Sequence, residues 1–123
     1  MELKGKVAVI TGGSGGIGRA MAKAFLAEGA RGVMLADLDA SAVASAADAL
    51  GCDGRACDVT KESDIRALVA ATEEKFGQID LFCSNAGAGG AGVLIDADIE
   101  VWQKQWVLHV MAHVYAARAV LPG

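Results

Sequence analysis

The sequence is poor in the features that would mark a secreted, membrane or nucleic-acid-binding protein. It has three cysteines, Cys52, Cys57 and Cys83, an odd number with no C-x-x-C spacing. They read as reduced, mostly buried thiols of a cytoplasmic protein. Basic clusters are absent. Eleven Lys and Arg stand against fifteen Asp and Glu, for a formal net charge of -4. Nothing in that balance points to nucleic acid or to an anionic membrane surface. No apolar run is long enough to cross a membrane. The first strand is expected within a few residues of Met1, which leaves no room for a signal peptide. No repeat or low-complexity linker is visible, although alanine is heavily used. What remains is a chain of 123 residues, 54% of them apolar. That suits one small domain built on a buried sheet.

The chain is organised around Thr11-Gly12-Gly13-Ser14-Gly15-Gly16-Ile17-Gly18. Before it stands the apolar run Val7-Ala8-Val9-Ile10, which has strand length and β-branched residues. After it come helix formers, with Ile17, Met21, Ala24 and Phe25 at helical spacing. The order is therefore strand, glycine-rich turn, helix. Gly12 lets the chain leave the strand in a tight turn, Gly16 lets the backbone approach a bound group, and Gly18 lets the helix pack closely on the sheet. The helix N-terminus then offers free N–H groups and a partial positive charge, which suits a pyrophosphate. The glycine spacing is G-x-x-x-G-x-G rather than G-x-G-x-x-G. There is no Gly-Lys-Ser/Thr ending, so the P-loop reading fails.

The remaining elements follow in order. The first strand is expected over 6–10 and the first helix over about 16–28, with Gly29 as its left-handed cap. A second strand at 32–36 ends at Asp37. A helix at 41–50 stops at Gly51. A short third strand at 54–57 leads to Asp58-Val59-Thr60. Thr60 or Lys61 opens a third helix, with Ile65, Leu68, Val69, Thr72 and Phe76 on its apolar side and Gly77 at its end. A fourth strand at 79–83 precedes Asn85-Ala86-Gly87 and a loop from Ala88. Asp96 or Asp98 caps a last helical region from Ile99 to about Leu121. Strands alternating with helices predict an α/β fold, a doubly wound, Rossmann-type parallel sheet with helices on both faces. The pattern stops after the fourth strand and its following helix. In such sheets ligands bind beyond the carboxyl ends of the strands. The glycine turn, Asp37, Asp58 and Asn85 to Gly87 all fall there.

Asp37 lies 19 positions after Gly18, close to the ~20 expected for an acid that hydrogen-bonds an adenosine ribose. A carboxylate there accepts from the 2′- and 3′-hydroxyls and repels a 2′-phosphate. Neither Gly15 nor Leu38 and Asp39 supplies a base to hold such a phosphate, so NAD is favoured over NADP. Asp37 could alternatively be a turn residue or helix cap, roles that Asp39 or Ser41 could also fill. Asp58 could reach the exocyclic amine of adenine or serve as N-cap of the third helix. Asn85-Ala86-Gly87 permits close approach to the middle of a cofactor, and the Asn amide can tie neighbouring strands together.

These residues together resemble the short-chain dehydrogenase/reductase family. The matches are Thr11-Gly12-x-x-x-Gly16-x-Gly18, Asp37, Asp58-Val59 and Asn85-Ala86-Gly87. The resemblance runs through the whole chain, read as an NAD-binding domain over 1–123, and covers about the first half of the family's usual domain. It implies hydride transfer between a nicotinamide ring and a carbonyl or alcohol carbon. It implies a cofactor-binding set of Thr11, Gly12, Ser14, Gly15, Gly16, Ile17, Gly18, Asp37, Leu38, Asp58, Val59, Asn85, Ala86 and Gly87. The family's catalytic Ser and Tyr-x-x-x-Lys fall beyond Gly123, so this stretch alone is expected to be inactive. Tyr115 is followed four residues later by Ala119 rather than Lys and reads as a packing residue. His109 stands where the family has an Asn associated with a proton relay. His109 and His113 share a helix face but have no evident third ligand, so no metal is expected. Trp102, Trp106, Val110, Val114 and Val120 could form an apolar stripe, as core packing or as the interface of a homo-oligomer. Two other readings stay open: a non-catalytic dinucleotide-binding module, and an assembly fragment that completes its sheet with a partner. The loop 88–95 is expected to border a small-molecule substrate.

Overall fold

A computed structural model of the chain describes residues 1–89 and 95–122. The elements are β1 (Val7–Thr11), α1 (Gly16–Ala27), β2 (Gly32–Asp37), α2 (Ala40–Leu50), β3 (Asp53–Ala56), α3 (Glu62–Phe76), β4 (Leu81–Cys83), α4 (Ile99–Trp106), a π-helical stretch Val107–Met111, and α5 (Ala112–Val120). The four strands form one parallel sheet in the order β3-β2-β1-β4. This is the doubly wound arrangement that the alternation of strands and helices predicts.

The sheet is buried on both faces, which explains the continuous apolar runs of its central strands. On β2, Val33 and Leu35 face one way, against Ala22 of α1 and Val43, Ala46 and Ala47 of α2. Met34 and Ala36 face the other way, against Ile65, Leu68 and Val69 of α3 and Ala112 and Ala116 of α5. Val7 to Ile10 of β1 are fully buried. Tyr115 packs on the second of these cores, as expected of a packing residue.

Several boundaries differ from the sequence pattern for identifiable reasons. The fourth strand begins at Leu81, not Ile79, because Asp80 pairs differently. Its backbone N–H donates to the Val7 carbonyl at 3.0 Å, and its carboxylate accepts from the Val7 N–H at 2.9 Å. In α1 the sheet-facing positions are Gly18 and Ala22, with Met21 and Phe25 beside them, whereas Ile17 is 71% exposed. The apolar face is thus turned by about one residue from the one read in the sequence, because Gly18 must lie against the turn. The last helical region is not continuous α-helix. It widens to π geometry over Val107–Met111. Val120 packs on the core rather than joining the exposed stripe. Asp39, not Asp37, caps α2, accepting from the N–H groups of Ser41 at 2.9 Å and Ala42 at 3.1 Å. Asp98 takes the N-cap position of α4 with no side-chain bond to the helix.

Candidate functional site

The glycine turn joins β1 to α1 at the carboxyl end of the sheet. Gly12 has φ +68°, a conformation that glycine adopts at little cost. A Cβ on Gly18 would lie 2.3 Å from the Gly12 carbonyl oxygen. The turn therefore folds back onto the first residues of α1, and only a glycine at 18 allows it. Beyond Gly16 the space is open, with no atom within 4 Å of where its Cβ would be. The first turn of α1 itself holds no acidic residue. These are the features of a phosphate seat: bare backbone, free N–H groups and room in front of them.

Thr11 organises the neighbouring floor. Its hydroxyl donates to the Cys83 carbonyl at 3.4 Å and accepts from the N–H groups of Asn85 at 2.9 Å and Ala86 at 3.1 Å. The Asn85 amide donates back to the Thr11 carbonyl at 3.1 Å. Asn85 thus ties β1 to the chain leaving β4. A Cβ on Gly12 would press on Asn85 and Ala86 at 3.0–3.1 Å, so turn and floor are in contact. Thr11 is buried, and its side chain faces this strap rather than the open crevice.

Asp37 ends β2 on the other side of the turn. Its carboxylate accepts from the Ser14 N–H at 3.1 Å, from the Ser14 hydroxyl, and from the Leu38 N–H at 2.8 Å. Leu38 and Ile17 flank the crevice with exposed apolar side chains. Gly15 is the exposed N-cap residue of α1. The glycine turn, Asp37, Leu38 and Asn85 to Gly87 are therefore brought together.

Asp58 and Val59 stand slightly apart. The Asp58 carboxylate accepts from the Thr60 N–H at 3.0 Å and hydroxyl at 2.6 Å, forming a local turn. The Thr60 hydroxyl bond is the main reason its carboxyl is held below the usual range, against the opposing effect of burial. Lys61, not Asp58, is the N-cap residue of α3. Val59 is buried in the core. The three thiols are free and harder to ionise than usual. Burial, then Asp64 and Asp58, push Cys57 to about 11. None is poised as a nucleophile.

The two histidines act separately. His109 lies in the π-helical stretch, and its Nε2–H donates to the Ala88 carbonyl at 2.9 Å. The His113 Nδ1 is 2.5 Å from the Ser84 hydroxyl. Among the described residues, no group of three or more His, Cys, Asp and Glu could hold a metal ion. Residues 90–94 of the loop expected to border a substrate lie outside the described residues.

Sequence reasoning missed one member of this region and one role. Gly13 is required because a Cβ there would lie 2.7 Å from the Leu35 Cβ. Thr11 is in the expected set, but its hydroxyl is the hub of the floor, with partners more than 70 residues away. No local spacing could have signalled either.

The profile described as short chain dehydrogenase matches residues 6–123. The chain belongs to the short-chain dehydrogenase family. It is 37% identical to zerumbone synthase of Zingiber zerumbet, over 99% of this chain and 49% of that protein. Among solved structures, it superposes with a TM-score of 0.92 on a short-chain dehydrogenase/reductase from Burkholderia phymatum in complex with NAD. That match is at 35% identity over 99% of this chain and 45% of that one. A 3-ketoacyl-(acyl-carrier-protein) reductase from Brucella melitensis, complexed with NADH, also gives 0.92, at 33% identity over 98% of this chain and 50% of that one. The chain spans about half the length of the curated relatives it matches. Among the described residues of this short-chain dehydrogenase, no helix is long and apolar enough to cross a membrane.

Proposed function

We propose that residues 1–123 are the cofactor-binding part of an NAD-dependent oxidoreductase that acts on a small carbonyl or alcohol substrate. One observation carries the reading: a bare glycine turn, the start of α1 and Asp37 meet at the carboxyl end of one parallel sheet. The N–H groups at Gly16 to Gly18 hold the pyrophosphate, and Ser14, Gly15 and Ile17 line its approach. Asp37 accepts from the adenosine ribose, and its charge disfavours the 2′-phosphate of NADP. Leu38 and Asp58 border the adenine, with Val59 packed in the core behind Asp58. Thr11 holds Asn85 and Ala86, with Gly87 following them, as the floor beneath the middle of the cofactor. The dinucleotide supplies the hydride chemistry at its nicotinamide ring. The proton is handled by a Ser and a Tyr-x-x-x-Lys carried outside these residues. The reading is further supported by two structural neighbours solved with NAD and NADH. The three cysteines are free, which fits a cytoplasmic protein whose thiols stay reduced.

The face of α4 and α5 supports assembly as a homo-oligomer. Trp102 and Trp106 are 46% and 59% exposed, with Val110 and Val114 in line with them. Such a patch is costly to leave in water.

The test is hydride transfer by the full-length natural protein. We expect NAD-dependent oxidation of a secondary alcohol, or NADH-dependent reduction of the matching ketone. A protein that binds NAD but transfers no hydride with any such pair would instead be a non-catalytic binding module.

A further inference from the structure

The floor follows directly on a very short strand. β4 has three residues and pairs with Ala8, Val9 and Ile10 of β1. From the β1 side its exit is held by Thr11, whose hydroxyl accepts from the Asn85 and Ala86 N–H groups. Ser84 stands between strand and floor. Successive side chains of a strand alternate faces. Phe82 packs on the core shared with α3 and α5, and Cys83 packs on the opposite one. The same alternation turns Ser84 toward the α5 layer. Ala112 and Ala116, four apart on one helix face, are buried in that core. Side chains this small let the helix backbone come close to the sheet. His113 follows Ala112, and its Nδ1 lies 2.5 Å from the Ser84 hydroxyl. An imidazole nitrogen can accept the hydroxyl proton or donate to the hydroxyl oxygen, so the bond forms in either protonation state of the ring.

The pair is exposed, so water competes for both groups and the bond adds little to global stability. Its effect is local. It fixes the chain one residue before Asn85 from the helix layer, where Thr11 fixes the next residues from β1. We propose that His113 is a positioning residue for dinucleotide binding: through Ser84 it holds the start of the floor beneath the middle of the cofactor. The inference rests on the dinucleotide-binding reading above. A merely structural contact, once cut, weakens every ligand along with the fold. A positioning contact here acts on the part of the dinucleotide that lies over the floor. The adenosine end, assigned to Asp37 and Asp58, is left as it was. Cutting the bond from either end should have the same effect, and cutting it from both should add nothing.

The experiment is calorimetric titration of the full-length natural protein with NAD and, separately, with AMP, which lacks the nicotinamide half. Wild type is compared with Ser84→Ala, His113→Leu, the double Ser84→Ala/His113→Leu, and His113→Asn, which carries an amide where His113 carries Nδ1. NAD affinity is expected to fall roughly threefold to tenfold in Ser84→Ala and in His113→Leu. The double should fall no further, and His113→Asn should recover most of the loss. AMP affinity should stay within about twofold of wild type in all four. If His113→Leu does not fold, Ser84→Ala and His113→Asn read the same bond from its two ends. Unchanged NAD affinity in Ser84→Ala, single losses that add in the double, or an equal loss of AMP affinity would overturn the positioning role and leave the dinucleotide site standing. Wild-type protein that binds no NAD would overturn the underlying reading and this inference with it.

Discussion

At Gly18 and Gly16 the same substitution should have opposite consequences. A Cβ at 18 meets the Gly12 carbonyl oxygen at 2.3 Å, so the turn itself must move. Gly18→Ala is expected to destabilise the protein by about 2–4 kcal/mol in denaturant melts, the range of overpacked or strained buried sites. A Cβ at 16 meets nothing. Gly16→Ala should therefore shift stability by under about 1 kcal/mol while weakening dinucleotide binding, since the new methyl stands where a phosphate approaches. Asp58 carries a pH dependence. Its native carboxyl is held low, chiefly by the Thr60 hydroxyl. Its contribution is therefore present above the ordinary carboxylate range and lost as pH falls through the depressed native value. Asp58→Ala should cost about 0.5–1.5 kcal/mol near neutral pH, with the difference from wild type shrinking in acid, as read by melts across pH. At this scale the sequence was partly legible. The roles of Gly12 and Gly18 follow from their spacing. Those of Gly13 and Ser14 do not, because their partners Leu35 and Asp37 belong to the next strand.

Between elements, the strap from Thr11 to the segment after β4 is the contact that turns two strands into one floor. Thr11→Val keeps the shape but leaves the Asn85 and Ala86 N–H groups without their acceptor. A loss of about 1–3 kcal/mol is expected, with faster amide exchange at 85 and 86, whereas Thr11→Ser should recover most of both. Glu62, by contrast, reaches Arg66 at 3.3 Å and Arg118 at 3.4 Å from α3 to α5, but both arginines are 65% exposed. Such pairs contribute little. The strands and the first three helices were legible, because the central strands β1 and β2 read as unbroken apolar runs and helices end at Gly29, Gly51 and Gly77. The π-helical stretch was not. Val107 to Met111 contains no proline or glycine to mark it.

For the molecule as a whole, the sheet's carboxyl end carries the candidate site, and Trp102, Trp106, Val110 and Val114 form an exposed apolar face on the helical region after β4. If that face is an interface, Trp106→Glu should reduce the assembly size seen by sedimentation while leaving NAD affinity within about twofold, since Trp106 is not among the residues of the candidate site. Placement of the crevice was legible because ligands in doubly wound sheets bind beyond the strand ends. The partners of the exposed face were not, since nothing in a single sequence separates an interface stripe from a core stripe. The proposed function depends on the glycine turn and Asp37 forming an NAD site. Calorimetric titration of the full-length protein with NAD tests it most directly. Saturable binding with one NAD per chain is predicted, with NADP at least about tenfold weaker. No saturable binding at millimolar NAD, or binding of NADP in preference, would contradict it.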